Sequence, residues 1–260
     1  MMRAPYRVAV ITGASSGLGA SLAAAYAGPE VRLGLIGRDR ERLRAVAAQC
    51  AAAGAESETA AIDVADEPAM AGWLGEFDRA HPVELVIANA GTSAGTDPGA
   101  AFEPGATTLR QIAVNLHGVV NTVAPLLPSL CRRGRGRVAI IASAAALRGL
   151  PYSPGYCASK AGARAYGEAL RPLLEPQGVG VSVVCPGFFT SRMTDRWEGP
   201  TPFLFSGERA AKRVKRGIDR GRRRIDFPLP LVLGMRFCDL APALIGDEIM
   251  RRFHFRIRSA

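Results

Sequence analysis

The sequence predicts one doubly wound α/β domain on a parallel sheet, and three observations carry the prediction. Through the first 190 residues, apolar β-branched runs alternate with longer Ala-, Leu- and Arg-rich stretches at helical spacing. Those runs are apolar throughout rather than on alternate residues, as strands covered on both faces must be. At 260 residues, with 48% hydrophobic and 22% charged side chains, the chain can bury one large core.

Residues 8–11, 31–36, 58–62, 84–88, 138–141 and 181–184 read as buried strands, with 224–227 as a seventh. Residues 20–27, 39–53 and 154–174 read as helices between them. Parallel strands joined through helices require right-handed crossovers and a three-layer α/β/α arrangement. No repeat or low-complexity linker interrupts the pattern. Residues 1–204 are therefore expected to form the core, and 205–260 an extension of the same domain.

Composition narrows the function classes. Residues 1–6 lack the apolar core of a signal peptide, which predicts a cytoplasmic protein. Cys50, Cys131, Cys157, Cys185 and Cys238 stand apart without metal-ligand spacing and are expected as reduced thiols. His81, His117 and His254 are too dispersed to suggest a metal site. The formal charge of +10 is unevenly placed: residues 1–204 carry 19 basic and 17 acidic side chains, residues 205–260 carry 14 and 6. No nucleic-acid-binding module accompanies those arginines, so nucleic acid is not an expected partner.

Chemistry begins at Gly13, Ser15, Ser16, Gly17, Leu18 and Gly19, which follow the first strand and open a helix. Glycines there permit a tight turn and close approach of backbone to a pyrophosphate, while a helix N-terminus offers N–H groups and a positive dipole end. Further on, Tyr156 and Lys160 stand at i and i+4 on one face of a predicted helix. Lys160 is one of only three lysines against 30 arginines, in a chain that otherwise prefers arginine. Ser143 ends the fifth strand, where side chains face a ligand crevice. Asn115 lies in an apolar helical stretch, where an unpaired amide costs about 1–3 kcal/mol and so must find partners.

The spacing Thr12-Gly13-x-x-x-Gly17-x-Gly19 resembles the short-chain dehydrogenase/reductase family. The likeness continues through Asn89-Ala90-Gly91, Asn115, Ser143, Tyr156-x-x-x-Lys160 and Pro186-Gly187, over roughly residues 7–195. It implies a Rossmann-like fold and a nicotinamide-dependent exchange between a carbonyl and a secondary alcohol. In that scheme Tyr156 transfers the proton, Ser143 binds the substrate oxygen, and Asn115 orders a water leading from Lys160 to solvent. A phenol must drop about 3 pKa units, roughly 4 kcal/mol, to exchange protons near neutrality. Lys160 and a cationic nicotinamide ring are the expected sources. Tyr156 and Lys160 also count among the cofactor contacts. The resemblance places Asp63 and Val64 at the adenine and Thr190 at the carboxamide, and it implies a homodimer or homotetramer.

Gly37 occupies the place of the acidic residue that binds the ribose in NAD enzymes. Arg38 follows and can pair with a 2′-phosphate, which favours NADP, with NAD still possible. A one-residue shift would instead make Asp39 the ribose ligand; its alternative role is to cap the helix at Arg40. Segments 92–105, 144–153 and 188–205 are expected around the substrate. Their Leu147, Leu150, Phe188, Phe189, Trp197, Phe203 and Phe205 predict an apolar pocket. Residues 228–246 are too broken for a membrane span. The basic 208–224 stretch and this apolar segment suit either peripheral seating on an anionic bilayer or a subunit interface. A nucleotide-binding regulator acting through this tail is the alternative to an enzyme.

Overall fold

A computed structural model describes residues 6–96 and 102–258. Part of the expected substrate segment, residues 97–101, lies outside the described residues. Seven parallel strands form the sheet: β1 (Val8–Thr12), β2 (Arg32–Gly37), β3 (Glu56–Ala61), β4 (Leu85–Ala88), β5 (Gly136–Ile141), β6 (Val179–Pro186) and β8 (Arg224–Phe227). Their spatial order is β3-β2-β1-β4-β5-β6-β8. A short antiparallel pair, β7 (Trp197–Glu198) and β9 (Arg256–Ile257), stands apart from it. Winding reverses between β1 and β4, so a crevice opens beyond their carboxyl ends, where ligands bind in open α/β sheets.

Helices α1 (Gly17–Tyr26), α2 (Arg40–Ala52), α3 (Glu67–Ala80), α4 (Gly105–Ile112), α5 (Gly118–Val123), α6 (Leu127–Arg133) and α7 (Pro154–Leu174) connect the strands as far as β6. Side-chain alternation builds two apolar layers. Ile11, Leu33 and Leu35 pack with Leu18 and Leu22 of α1 on one face; Val10, Ile36 and Val86 pack with Met70 and Leu74 of α3 on the other. Each such fully buried side chain contributes about 1.5–3 kcal/mol. The observed β3 starts two residues before the sequence pattern places it, because this edge strand buries few of its side chains and reads as polar.

The tail divides into three parts. Helix α8 (Gly207–Asp219) buries Ala210, Ala211, Val214 and Ile218 in the α1-side layer, leaving most of its basic residues to solvent. Strand β8 completes the sheet against β6. Helices α9 (Leu229–Leu240) and α10 (Ala243–Arg251) then return across the carboxyl end of the sheet, and β9 follows. Because α8 runs opposite to β8, residues 220–224 fall toward the far edge. Part of the arginine run nevertheless adjoins the apolar helices, since Asp226 of β8 pairs with both Arg224 and Arg236 of α9.

Candidate active site

Backbone geometry dictates the phosphate loop. Gly13 and Gly17 adopt φ of +67° and +54°, a region L side chains rarely enter. A Cβ on Gly13 would lie 2.7 Å from the Ala90 Cα, and one on Gly19 would run into the Gly13 carbonyl. Asn89 fastens the loop to β4, donating from Nδ2 to the Thr12 carbonyl at 2.9 Å. Asp39 and Asp66 cap α2 and α3 through N–H bonds from Arg42 and Ala69, but α1 has no side-chain cap and no acidic residue in its first turn. Its leading N–H groups face the cleft, where the lining includes Gly13, Ser15, Ser16, Gly17 and Leu18. This cradle fits a dinucleotide pyrophosphate.

At the adenosine end, Arg38, Asp63 and Val64 line the same cleft, joined by Arg42 and Arg110. Asp39 is engaged by Arg42, whose Nε donates to its carboxylate at 2.6 Å. Although burial opposes ionisation of Asp63, hydrogen bonds from Arg110 and the Ala65 N–H hold its carboxyl below the usual range. Arg38 makes no ion pair among the described residues and is exposed, ready for an incoming anion.

Helix α7 presents Tyr156 and Lys160 to the cleft opposite Ser143. Ser143 and Tyr156 both line the cleft. The Ser143 Oγ also accepts from the Ala145 N–H at 3.1 Å, which fixes its direction. Lys160 is 3% exposed and donates from Nζ to the Ile141 carbonyl at 2.9 Å. Asn115 sits in a π-helical turn (Ala113–His117), a distortion often found at functional sites. Its amide accepts from the Thr92 N–H and donates to the Thr92 carbonyl and Ser159 Oγ. It is fully buried and outside the cleft lining, and it joins the loop after β4 to α7.

Burial sets the electrostatics of the Tyr156 and Lys160 side chains. Burial pushes the Tyr156 phenol up to about 12, with the neighbouring Ser143 hydroxyl pulling the other way. Burial also brings Lys160 down to about 8. The polypeptide therefore holds Tyr156 as a protonated acid, and the Lys160 ammonium spends a bond on Ile141.

Ala90, Gly91, Asn89, Pro186 and Gly187 line the cleft. Gly19 lies just beneath it as a packing contact. Thr190 does not line it: its hydroxyl accepts the Gly207 N–H at 2.9 Å, at the start of α8. Ser191 and Thr194 face the cleft instead, their hydroxyls 3.0 Å apart. Leu150, Phe188, Phe189, Trp197 and Phe203 line the substrate side, whereas Leu147 packs on Val232 and Phe205 on Phe227. The far wall comes from α9, α10 and the residues after them, including Leu231, Met235, Met250, Phe253 and Ile257. No local motif marks these residues; only the chain's return across the sheet brings them here.

One cleft of about 950 Å³ thus joins a phosphate cradle, a hydroxyl pair and an apolar wall. The model of the short chain dehydrogenase family matches residues 7–200. An uncharacterized oxidoreductase of Myxococcus xanthus is 34% identical over 97% of this chain and 99% of its own. A ketoacyl reductase of Nostoc sp. is 31% identical over 70% of this chain and 63% of its own. The alcohol dehydrogenase of Thermococcus sibiricus, solved with 5-hydroxy-NADP, superposes with a TM-score of 0.73 at 25% identity, over 85% of this chain and 95% of that one. The chain belongs to the short-chain dehydrogenase/reductase family. Within it, this protein is an NAD(P)-dependent oxidoreductase.

Proposed function

We propose that the protein reduces an apolar ketone to a secondary alcohol with NADPH. One observation carries the reading: the Ser143–Tyr156 hydroxyl pair lies in a cleft that runs from the phosphate cradle to an apolar wall. When bound, the reduced nicotinamide supplies the hydride. Ser143 positions the carbonyl oxygen, and Tyr156 donates its proton to that oxygen as charge develops. A phenol held near 12 is protonated at neutral pH, the form that reduction consumes. Lys160 keeps a positive charge beside the site below about pH 8. Ser191 and Thr194 provide the hydroxyls that face a carboxamide, the role the sequence assigns to Thr190.

Arg38 supports NADP over NAD, because a guanidinium matches the charge and oxygens of a 2′-phosphate and gains only a weaker bond, without charge pairing, from a ribose hydroxyl. The bonds of Asp39 to Arg42 and the α2 cap support its helix-capping role over a ribose role. A spectrophotometric screen of apolar ketones with both coenzymes tests these points. The expected result is turnover with kcat/KM higher for NADPH. Higher values with NADH overturn the coenzyme preference, and no turnover of any ketone overturns the carbonyl reading.

The exposed face of α9 and α10 favours a second reading, attachment at a membrane surface. Leu229, Leu233, Phe237, Leu240 and Leu244 are each more than half exposed on this face. No helix among the described residues is long and apolar enough to cross a membrane, so such attachment would be peripheral. Co-sedimentation with anionic vesicles that is lost in Phe237→Glu supports it. Retention of a dimer or tetramer in solution, disrupted by the same change, assigns the stripe to a homo-oligomer instead.

A further inference from the structure

The last described residues are folded into the substrate side. Strand β9 pairs antiparallel with β7, placing Ile257 opposite Trp197. The Arg258 N–H donates to the Arg196 carbonyl at 2.9 Å, and Arg196 Nε returns a bond to the Arg258 carbonyl at 2.8 Å. Arg196 also reaches the Ser93 carbonyl at 3.3 Å, so one guanidinium fastens three segments that lie far apart in sequence. Phe255 stacks on Trp197 with ring centres 4.0 Å apart and planes 12° from parallel. Gly199, at φ +145°, makes room: a Cβ there would sit 3.0 Å from the Phe255 Cβ.

Phe255 and Ile257 are 7% and 6% exposed. The same segment turns Met250, Phe253 and Ile257 into the cleft, facing Trp197 and Phe203. We propose that residues 250–257 determine substrate specificity, forming a wall against which the non-reacting part of an elongated apolar ketone lies, with the β7–β9 pairing holding the 188–205 segment against it. This rests on the ketone-reductase reading and adds to it the shape of the substrate. An apolar chain gains by every methylene that it buries on this wall, whereas a compact ketone engages only Ser143 and Tyr156.

A homologous series of methyl ketones with lengthening alkyl chains tests the proposal in the full chain and in Phe253→Ala. Burial of each methylene is worth about fourfold in affinity, so kcat/KM in the full chain is expected to climb by about that factor per carbon along the wall. In Phe253→Ala the climb is expected to fall below about twofold per carbon, with the NADPH Kd unchanged. A slope that survives Phe253→Ala overturns the proposal. Ending the chain after Arg252 is a second variant, expected to flatten the slope further and to raise amide exchange in residues 188–205 but not in α7. Full protection of residues 188–205 in the shortened chain also overturns it. If the full chain turns over no ketone, the functional reading has failed separately. The wall is then read from binding of the same series by tryptophan fluorescence, where the absence of a chain-length trend overturns it.

Discussion

The two ends of the cleft are built by opposite means. At the cofactor end, backbone and short-range hydrogen bonds do the positioning: Gly13, Asn89 and Thr12 lock one loop, and the helix start beside it is left without a cap. At the substrate end, side chains from four separated segments meet through ring stacking and one short ladder. A side chain at Gly13 or Gly19 would run into backbone, while a residue in the second region is expected to change size and alter the substrate without disturbing the reaction. The contrast explains how one reaction can be retained while its substrates diversify.

Ranked by expected effect, substitutions can break this contrast or sharpen it. Gly19→Val drives a side chain into the Gly13 carbonyl and should abolish coenzyme binding, measurable by calorimetry. Lys160→Met should lower kcat/KM by about 100-fold or more. It should leave the fold at least as stable, because the lysine is buried at a cost: its folded value of about 8, against 10.5, corresponds to about 3 kcal/mol at neutral pH. The unfolded chain binds the extra proton between those values, so wild-type stability rises with pH from about 8 toward 10. Denaturant titrations should show that rise, and Lys160→Met should remove it. Reduction by the wild type should fall above about pH 8 as Lys160 loses its charge.

Arg38→Ala should raise the Kd for NADPH by about 10–100-fold, the worth of a charge-assisted bond, and leave NADH binding nearly untouched. Equal effects on both coenzymes would remove Arg38 from the 2′-phosphate. The smallest change is expected from Asp39→Ala, which removes the α2 cap and should cost about 1 kcal/mol of stability. A large loss of NADH binding in that variant would restore Asp39 to the ribose.

Legibility in the sequence follows the same division. Strand runs, the glycine spacing and the Tyr156/Lys160 pair are local patterns, and each falls at the switch point or on α7 as the sequence suggests. Thr190 shows the limit. It and Ser191 are adjacent hydroxyls, and only the backbone path decides that one accepts the Gly207 N–H and the other lines the cleft. Glu103 was equally hidden: its buried carboxylate accepts the Gly155 N–H and the Gln111 amide, anchoring the start of the catalytic helix. The wall of Met250, Phe253 and Ile257 carries no periodic or spacing signal, because residues it meets across the cleft, such as Trp197 and Leu150, are 50 or more positions away.

Turnover by Tyr156→Phe tests the centre of this mechanism most directly. Removing one hydroxyl leaves the ring, the wall and the coenzyme cradle in place. With an accepted ketone and NADPH, kcat/KM should fall about 100- to 10,000-fold with coenzyme affinity and melting temperature preserved. Turnover within a few-fold of the wild type would contradict the assignment of Tyr156 as the proton donor.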